Sequence, residues 1–259
     1  MNMDDQPQTL SPQQISQTTQ HPSVARTNLL ISIRSPEEVA AAISGGADWI
    51  DLKEPKLGPL GAVPVDIAQK IVDAVDGRLP ISAALGELLE WDNAPARDLL
   101  RLPEIQVVKL GLAGCAQLSN WQSLWKSAAT AIAKTDQDLV AVAYADWQHA
   151  GAPAPAEIIA TANAAGSRYF LIDTFDKKSG GLLTHLSLSE LTHILRLAHE
   201  ASLSPVVAGS LVQADLAAIS TLEVDMIGVR GGVCGGNRNS NLDPQLVANF
   251  RAALSTHAR

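Results

Sequence analysis

Apolar residues in this chain fall into two alternating patterns. Short continuous runs, such as Asn28–Ile33, Trp49–Lys53, Ile81–Leu85 and Gln106–Leu110, are followed by longer segments in which apolar positions recur every three or four residues. The first pattern suits strands buried on both faces, the second amphipathic helices. The rhythm continues through strands at Leu139–Tyr144, Tyr169–Asp173, Pro205–Ala208 and Asp225–Val229. Helices are expected from Ser35-Pro36-Glu37-Glu38 to Gly45-Gly46, over Val65–Val75, near Ala96–Arg101, over Ser119–Lys134, Pro155–Ala165, Ser187–Ala201 and Gln213–Leu222, and from Asp243-Pro244 to about Ser255. Their ends carry the expected signals. Ser35 stands as N-cap before Pro36 and two acids, Ser187 and Glu190 fit a capping box, and Gly166 closes the fifth helix.

Eight strand–helix units in this length predict a single (β/α)₈ TIM barrel in the α/β class, with an open doubly wound sheet as the alternative. No Gly-x-Gly-x-x-Gly follows the first strand, which weakens a dinucleotide reading. Residues 1–27, rich in Gln, Ser, Thr and Pro without aliphatic periodicity, are expected to form a disordered leader, with the barrel domain over 28–259. The leader lacks the apolar core of a secretory signal.

Composition narrows the partners. The 259 residues are 46% hydrophobic with a net charge of −8 and no basic cluster longer than Lys177-Lys178. Nucleic acid and anionic membranes are therefore not expected as main partners. No apolar run approaches a membrane span. Cys115 and Cys234 have neither metal spacing nor a disulfide framework, which suits a reducing, cytoplasmic setting. The exposed faces of the barrel helices are compatible with a homo-oligomer.

In such a barrel the chemistry gathers at the carboxyl ends of the strands. Strand two carries Asp51 and Lys53, two apart and so on one face with Trp49. A buried ion pair explains them as readily as catalysis does. Strand four adds Lys109, strand five Asp146, and strand six Asp173 with Lys177 beyond it. Three lysines and three aspartates thus converge on one rim of a charge-poor chain. A lysine shielded from water and crowded by another cation becomes a nucleophilic amine able to form a Schiff base. Neighbouring lysines and carboxylates can then move protons. Gly209-Ser210 and Arg230-Gly231-Gly232 end strands seven and eight. Their amides and the helix N-termini beyond are the usual phosphate seat in barrels. Asn237-Arg238-Asn239 reads either as a loop closing over a phosphate or as a solvated loop. The histidines show no ligand spacing.

Taken in order, Leu30-Ile-Ser-Ile-Arg-Ser-Pro36, Gly45-Gly-Ala-Asp48, Ile50-Asp-Leu-Lys-Glu-Pro55, Gly58-Pro-Leu-Gly-Ala62, Val108-Lys-Leu-Gly-Leu112, Ala143-Tyr-Ala-Asp146, Leu171-Ile-Asp-Thr174 with Lys177, Ala208-Gly-Ser-Leu211 and Gly228-Val-Arg-Gly-Gly-Val-Cys234 resemble the (5-formylfuran-3-yl)methyl phosphate synthase family over about residues 29–250. The resemblance implies a (β/α)₈ lyase acting on phosphates. That enzyme joins two molecules of glyceraldehyde 3-phosphate, expels phosphate and water, and starts the furan ring of methanofuran. It implies no metal and no organic cofactor. By position, Lys53 corresponds to the Schiff-base lysine and Lys109 to the proton acceptor. Asp51, Asp173 and Lys177 correspond to acid–base and electrostatic support. Lys177 and Lys178 both fit the last position, and the four-residue distance from Asp173 favours Lys177. Another Schiff-base aldolase of triose or deoxyribose phosphate, or a non-catalytic barrel that binds phosphometabolites, are the alternatives.

Overall fold

The computed structural model describes residues 26–256. Of the expected leader, residues 1–25 lie outside the described residues. The strands are β1 (Asn28–Ile33), β2 (Trp49–Leu52), β3 (Ile81–Glu87), β4 (Ile105–Gly111), β5 (Asp138–Tyr144), β6 (Tyr169–Asp173), β7 (Ser204–Val207) and β8 (Met226–Val229). They pair in sequence order, all parallel, and β8 closes on β1. The fold is a (β/α)₈ barrel.

Each strand buries both faces, which is why the runs are continuously apolar. Outward residues such as Leu29, Ile31, Ile50, Leu52, Ala83, Val108 and Leu110 belong to the larger core under the helices. Inward residues such as Leu30, Ala84, Val107, Val140, Val142, Leu171, Val206 and Met226 form a second core inside the barrel. Trp49 and Tyr169 meet edge-to-face inside the barrel, near the amino ends of their strands, with ring centroids 6.2 Å apart. Strand parity then places the next inward residues of β2, Asp51 and Lys53, towards the carboxyl ends. The pairing of Ser32 with Asp51 and Asp51 with Ser82 sets three polar groups in one row.

The α-helices are α1 (Val39–Ser44), α2 (Val65–Val75), α3 (Trp121–Ala133), α4 (Pro155–Ala164), α5 (Leu182–His185), α6 (Leu188–Glu200), α7 (Leu216–Ile219) and α8 (Pro244–Thr256). α2 buries Ala68, Ile71, Val72 and Val75, the i, i+3, i+4, i+7 stripe of an amphipathic helix. α6 begins with the Ser187–Glu190 capping box expected from the sequence. Among the described residues no helix is long and apolar enough to cross a membrane.

Three expectations change. Between β3 and β4 there is no α-helix; 3₁₀ segments at Leu88–Asn93 and Pro95–Arg101 bridge the gap. Pro95 forces Ala94 into extended backbone (ψ 122°) and divides the segment. The helix expected over Gln213–Leu222 shrinks to a 3₁₀ turn and the four residues of α7, because the Ser220 and Thr221 hydroxyls bond back to the carbonyls of Ala217 and Ala218. Ser35 makes no capping bond through its side chain, and α1 starts only at Val39 after a 3₁₀ turn.

Candidate active site

Asp51 is the centre of the lower polar layer. Its Oδ2 accepts the Ser32 hydroxyl at 2.8 Å. Its Oδ1 accepts the Ser82 hydroxyl at 2.8 Å and Lys109 Nζ at 2.5 Å. Lys109 Nζ also donates to Ser82 Oγ at 3.1 Å. β1, β2, β3 and β4 therefore each contribute one member of a buried four-residue network. Burial pushes the Lys109 amine down from its ordinary range, against the opposing pull of Asp51.

The upper layer is built on Asp173. Its Oδ2 accepts Lys53 Nζ at 3.1 Å, and its Oδ1 accepts Lys177 Nζ and the Thr174 amide. Lys177 also donates to Thr174 Oγ1 at 2.9 Å. Burial alone raises the Asp173 carboxyl. Lys177 and Lys53 outweigh it and hold the group well below the usual carboxylate range. The Lys177 amine is lowered to about 8, first by burial and further by the charge of Lys53, with Asp173 opposing. Lys178 is exposed, whereas the Lys177 side chain is 14% accessible, so the geometry selects Lys177 for this cluster.

Above these layers lies a cavity of about 240 Å³. Ten of the residues singled out from the sequence line it: Asp51, Lys53, Lys109, Asp173 and Lys177, with Gly209, Ser210, Arg230, Gly231 and Gly232. Gly209 (φ 114°) and Ser210 (φ 53°) both adopt left-handed backbone, uncommon for serine. This tight turn brings the chain against Thr174 and Leu182, where a Cβ at Gly209 would press at 3.2 Å.

The loop after β8 departs from expectation. Arg230 leads into a three-residue 3₁₀ turn, and α7 after β7 has four residues. Neither offers the helix N-terminus that the barrel pattern suggested. Arg230 itself uses all five N–H donors within the protein: Nε to Arg238 O, Nη1 to Ser32 O and Glu38, and Nη2 to Glu38 and Ser240 O. The guanidinium thus clamps the 230–240 loop, and Glu38, expected as a first-turn acid, is its buried counter-ion. The cation that this loop delivers to the cavity is Arg238, which lines it half-buried. Arg230→Lys, with three donors for five acceptors, is expected to lower stability by roughly 1–3 kcal/mol in urea denaturation. It should raise KM more than it lowers kcat, because the loop loosens while the lysines stay in place.

Asp146, the third rim aspartate, has another task. It accepts the amides of Phe175 and Asp176 at 2.7 and 2.8 Å and so shapes the loop that carries Lys177. Burial disfavours the thiolate of both cysteines, raising Cys115 to about 11 and pushing Cys234 up as well. Ser32 and Thr174 fall inside the segments that carry the family resemblance and Ser82 does not, but the sequence assigns none of the three a role. The signal available was strand parity, since the two serines are small hydroxyls at inward positions level with Asp51.

Fold and site together define a (β/α)₈-barrel protein with a lysine- and aspartate-lined cavity at the carboxyl ends of its strands. Residues 29–251 match the family model described as 4-HFC-P synthase, and the chain belongs to that enzyme family. It is 32% identical over 226 residues to the (5-formylfuran-3-yl)methyl phosphate synthase of Methanosarcina barkeri, covering 85% of this chain and 95% of that one. It is 32% identical over 223 residues, with the same shares, to the (5-formylfuran-3-yl)methyl phosphate synthase of Methanosarcina acetivorans. Among solved structures, phosphoribosylanthranilate isomerase from Thermotoga maritima shares the fold, with TM-score 0.57 and 14% identity over 89% of this chain and 99% of that one.

Proposed function

We propose that this chain condenses two molecules of glyceraldehyde 3-phosphate into 4-(hydroxymethyl)-2-furancarboxaldehyde phosphate, losing phosphate and water, through an imine on Lys53. The reading makes it a carbon–oxygen lyase at the entry to the methanofuran ring. The observation that carries it is the stacking of three lysines, Lys53 and Lys109 buried and Lys177 nearly so, and two carboxylates under one cavity of about 240 Å³. A phosphate binder needs cations; it does not need a carboxylate paired with each, so the arrangement favours amine chemistry over passive binding.

In this reading Lys53 Nζ attacks the aldehyde carbon, the C–N bond forms, and the oxygen leaves as water after protonation. Lys109, tied to Asp51, takes the proton released from the carbon next to the iminium. Asp173 stabilises the positive nitrogen that develops on Lys53, and Lys177 balances the carboxylate on its other side. Arg238 and the Gly209, Ser210, Gly231 and Gly232 backbone hold a phosphate, while Arg230 keeps the loop in place. No metal or organic cofactor takes part.

One observation favours a second assignment of the imine. The Lys177 amine, at about 8, is partly neutral near physiological pH. Borohydride trapping with glyceraldehyde 3-phosphate, followed by peptide mass spectrometry, separates the two. An adduct on Lys53 is expected; an adduct on Lys177 alone moves the imine there, and product formed without any adduct removes the imine step. A furan product absorbs in the near ultraviolet, which an aldol sugar does not. If Lys177 carries the imine it must react as the free amine, so kcat/KM is then expected to fall as pH drops through about 8, and Lys177→Arg should abolish turnover. If Lys53 carries it, Lys177 serves as the cation beside Asp173, and Lys177→Arg should keep most of the activity.

A further inference from the structure

Next to the lysine cluster lies a carboxyl–phenol pair that the proposed condensation steps leave unused. β3 continues past its apolar run. Gly86 adopts φ 90°, and the register between β3 and β4 shifts between Ala84 and Glu87, so that Glu87 stands opposite Gly111. A bulge of this kind re-aims a side chain. Here it turns Glu87 over β4 to the mouth of the barrel. Its Oε1 accepts the Tyr144 hydroxyl at 2.6 Å and its Oε2 the Ala113 amide at 2.9 Å. Tyr144 is fully buried and meets Phe175 edge-on at 5.3 Å. Gly111 leaves the room for this pair, since a methyl group there would collide with both Glu87 and Tyr144. Glu87 itself stays partly accessible. β2 is the neighbour of β3, and the charge of Lys53 acts on Glu87 across that pairing.

We propose that Glu87, oriented by Tyr144, is the acid that protonates the hydroxyl expelled from the intermediate held on Lys53. The proposal deepens, and rests on, the imine reading. The step balances within the intermediate. The enamine nitrogen pair re-forms the iminium and the enamine C=C pair shifts one bond along. The carbon–oxygen bond breaks, the departing hydroxyl takes the Glu87 proton and leaves as water, and the carboxylate regains a proton from solvent at its accessible edge.

The neighbouring carboxyls are less suited. Asp173 is held ionised by two lysines, and Asp51 accepts three hydrogen bonds. The groups facing Glu87 are Lys53 from β2, Glu90 from the turn after β3, Tyr144 from β5 and Cys115 from the turn after β4. Their net effect leaves its carboxyl raised, burial being the largest cause, so it retains a proton closer to neutrality than an exposed glutamate does. Tyr144 opposes that rise by donating to the carboxylate.

The test uses the full chain and glyceraldehyde 3-phosphate, scoring the borohydride adduct on Lys53 and the near-ultraviolet product separately. Glu87→Gln is expected to give the native amount of adduct while product formation falls about 10²–10⁴-fold and the alkaline limb of kcat disappears. Glu87→Asp should recover part of the rate. Tyr144→Phe keeps the carboxyl but removes the donor that favours its ionised form, so the alkaline limb should move to higher pH with a smaller loss of rate. Native-like kcat in Glu87→Gln, or an unmoved limb in Tyr144→Phe, overturns the proposal alone. Absence of any adduct in the unsubstituted enzyme removes the intermediate, and with it both readings.

Discussion

Lys53→Ala is expected to abolish turnover of glyceraldehyde 3-phosphate, with a loss of at least about 10³-fold, while the barrel remains folded. The size reflects the chemistry removed. An imine splits one difficult condensation into easier steps, and without the amine the remaining lysines and carboxylates supply only proton transfer, worth about 10²–10⁴ per step, on a carbonyl that is no longer activated. The fold is expected to survive because Asp173 keeps Lys177, Thr174 Oγ1 stays bonded to that lysine, and the Thr174 amide still caps the carboxylate. Near-ultraviolet product formation, adduct mapping and circular dichroism together read the result. Lys53→Arg sharpens it: the cation beside Asp173 is restored, but a guanidinium forms no imine under these conditions. If the arginine variant works within tenfold of the native enzyme, Lys53 acts by charge alone and the imine must be sought on Lys177.

Much of this site was legible because it obeys the two-residue parity of strands. Trp49, Asp51 and Lys53 point inward together, counting strands was enough to put Lys109 and Asp173 on the same rim, and Lys177 followed from its distance to Asp173 in the loop beyond β6. The parts that were not legible depend on contacts between residues far apart in the chain. Glu38 looks like an ordinary first-turn acid until Arg230, 192 residues later, meets it in the interior. Arg230 looks like a phosphate ligand until its five donors are traced to their acceptors. Inward parity alone gives Ser32 and Ser82 no role; only the pairing of β1 and β3 with β2 makes them partners of Asp51. Glu87 was hidden for a different reason. The apolar run stops at Leu85 and Gly86 reads as a strand terminator, whereas in the structure it is the bulge that turns the next side chain inwards.

Asp51→Asn is expected to be the most destabilising single change in the cavity, by about 3–5 kcal/mol at neutral pH. Removing one partner of a buried ion pair strands the other. Here the stranded group is Lys109, whose side chain is 5% exposed and would keep only uncharged acceptors, the Ser82 hydroxyl and the amide oxygen of the substituted side chain. For a chain of this size each kcal/mol corresponds to roughly 2–4 °C, so a clear fall in melting temperature should accompany the shift in urea midpoint. The sign of the pH dependence is also fixed. Lys109 already has its pKa lowered in the folded protein, and loss of Asp51 lowers it further, so the unfolded chain binds more protons in the window up to the ordinary lysine value. The stability of Asp51→Asn should therefore rise with pH across that window, and its deficit against the native protein should narrow as Lys109 is allowed to become neutral. Asp51→Leu combined with Lys109→Met removes both charges. It should recover much of the stability while leaving the enzyme inactive, because in the proposed reaction the pair serves proton transfer. An Asp51→Asn variant whose urea midpoint stays within about 1 kcal/mol of the native value at neutral pH would mean that Lys109 is already neutral in the resting enzyme, and that the proton-accepting form is the one the barrel is built to hold.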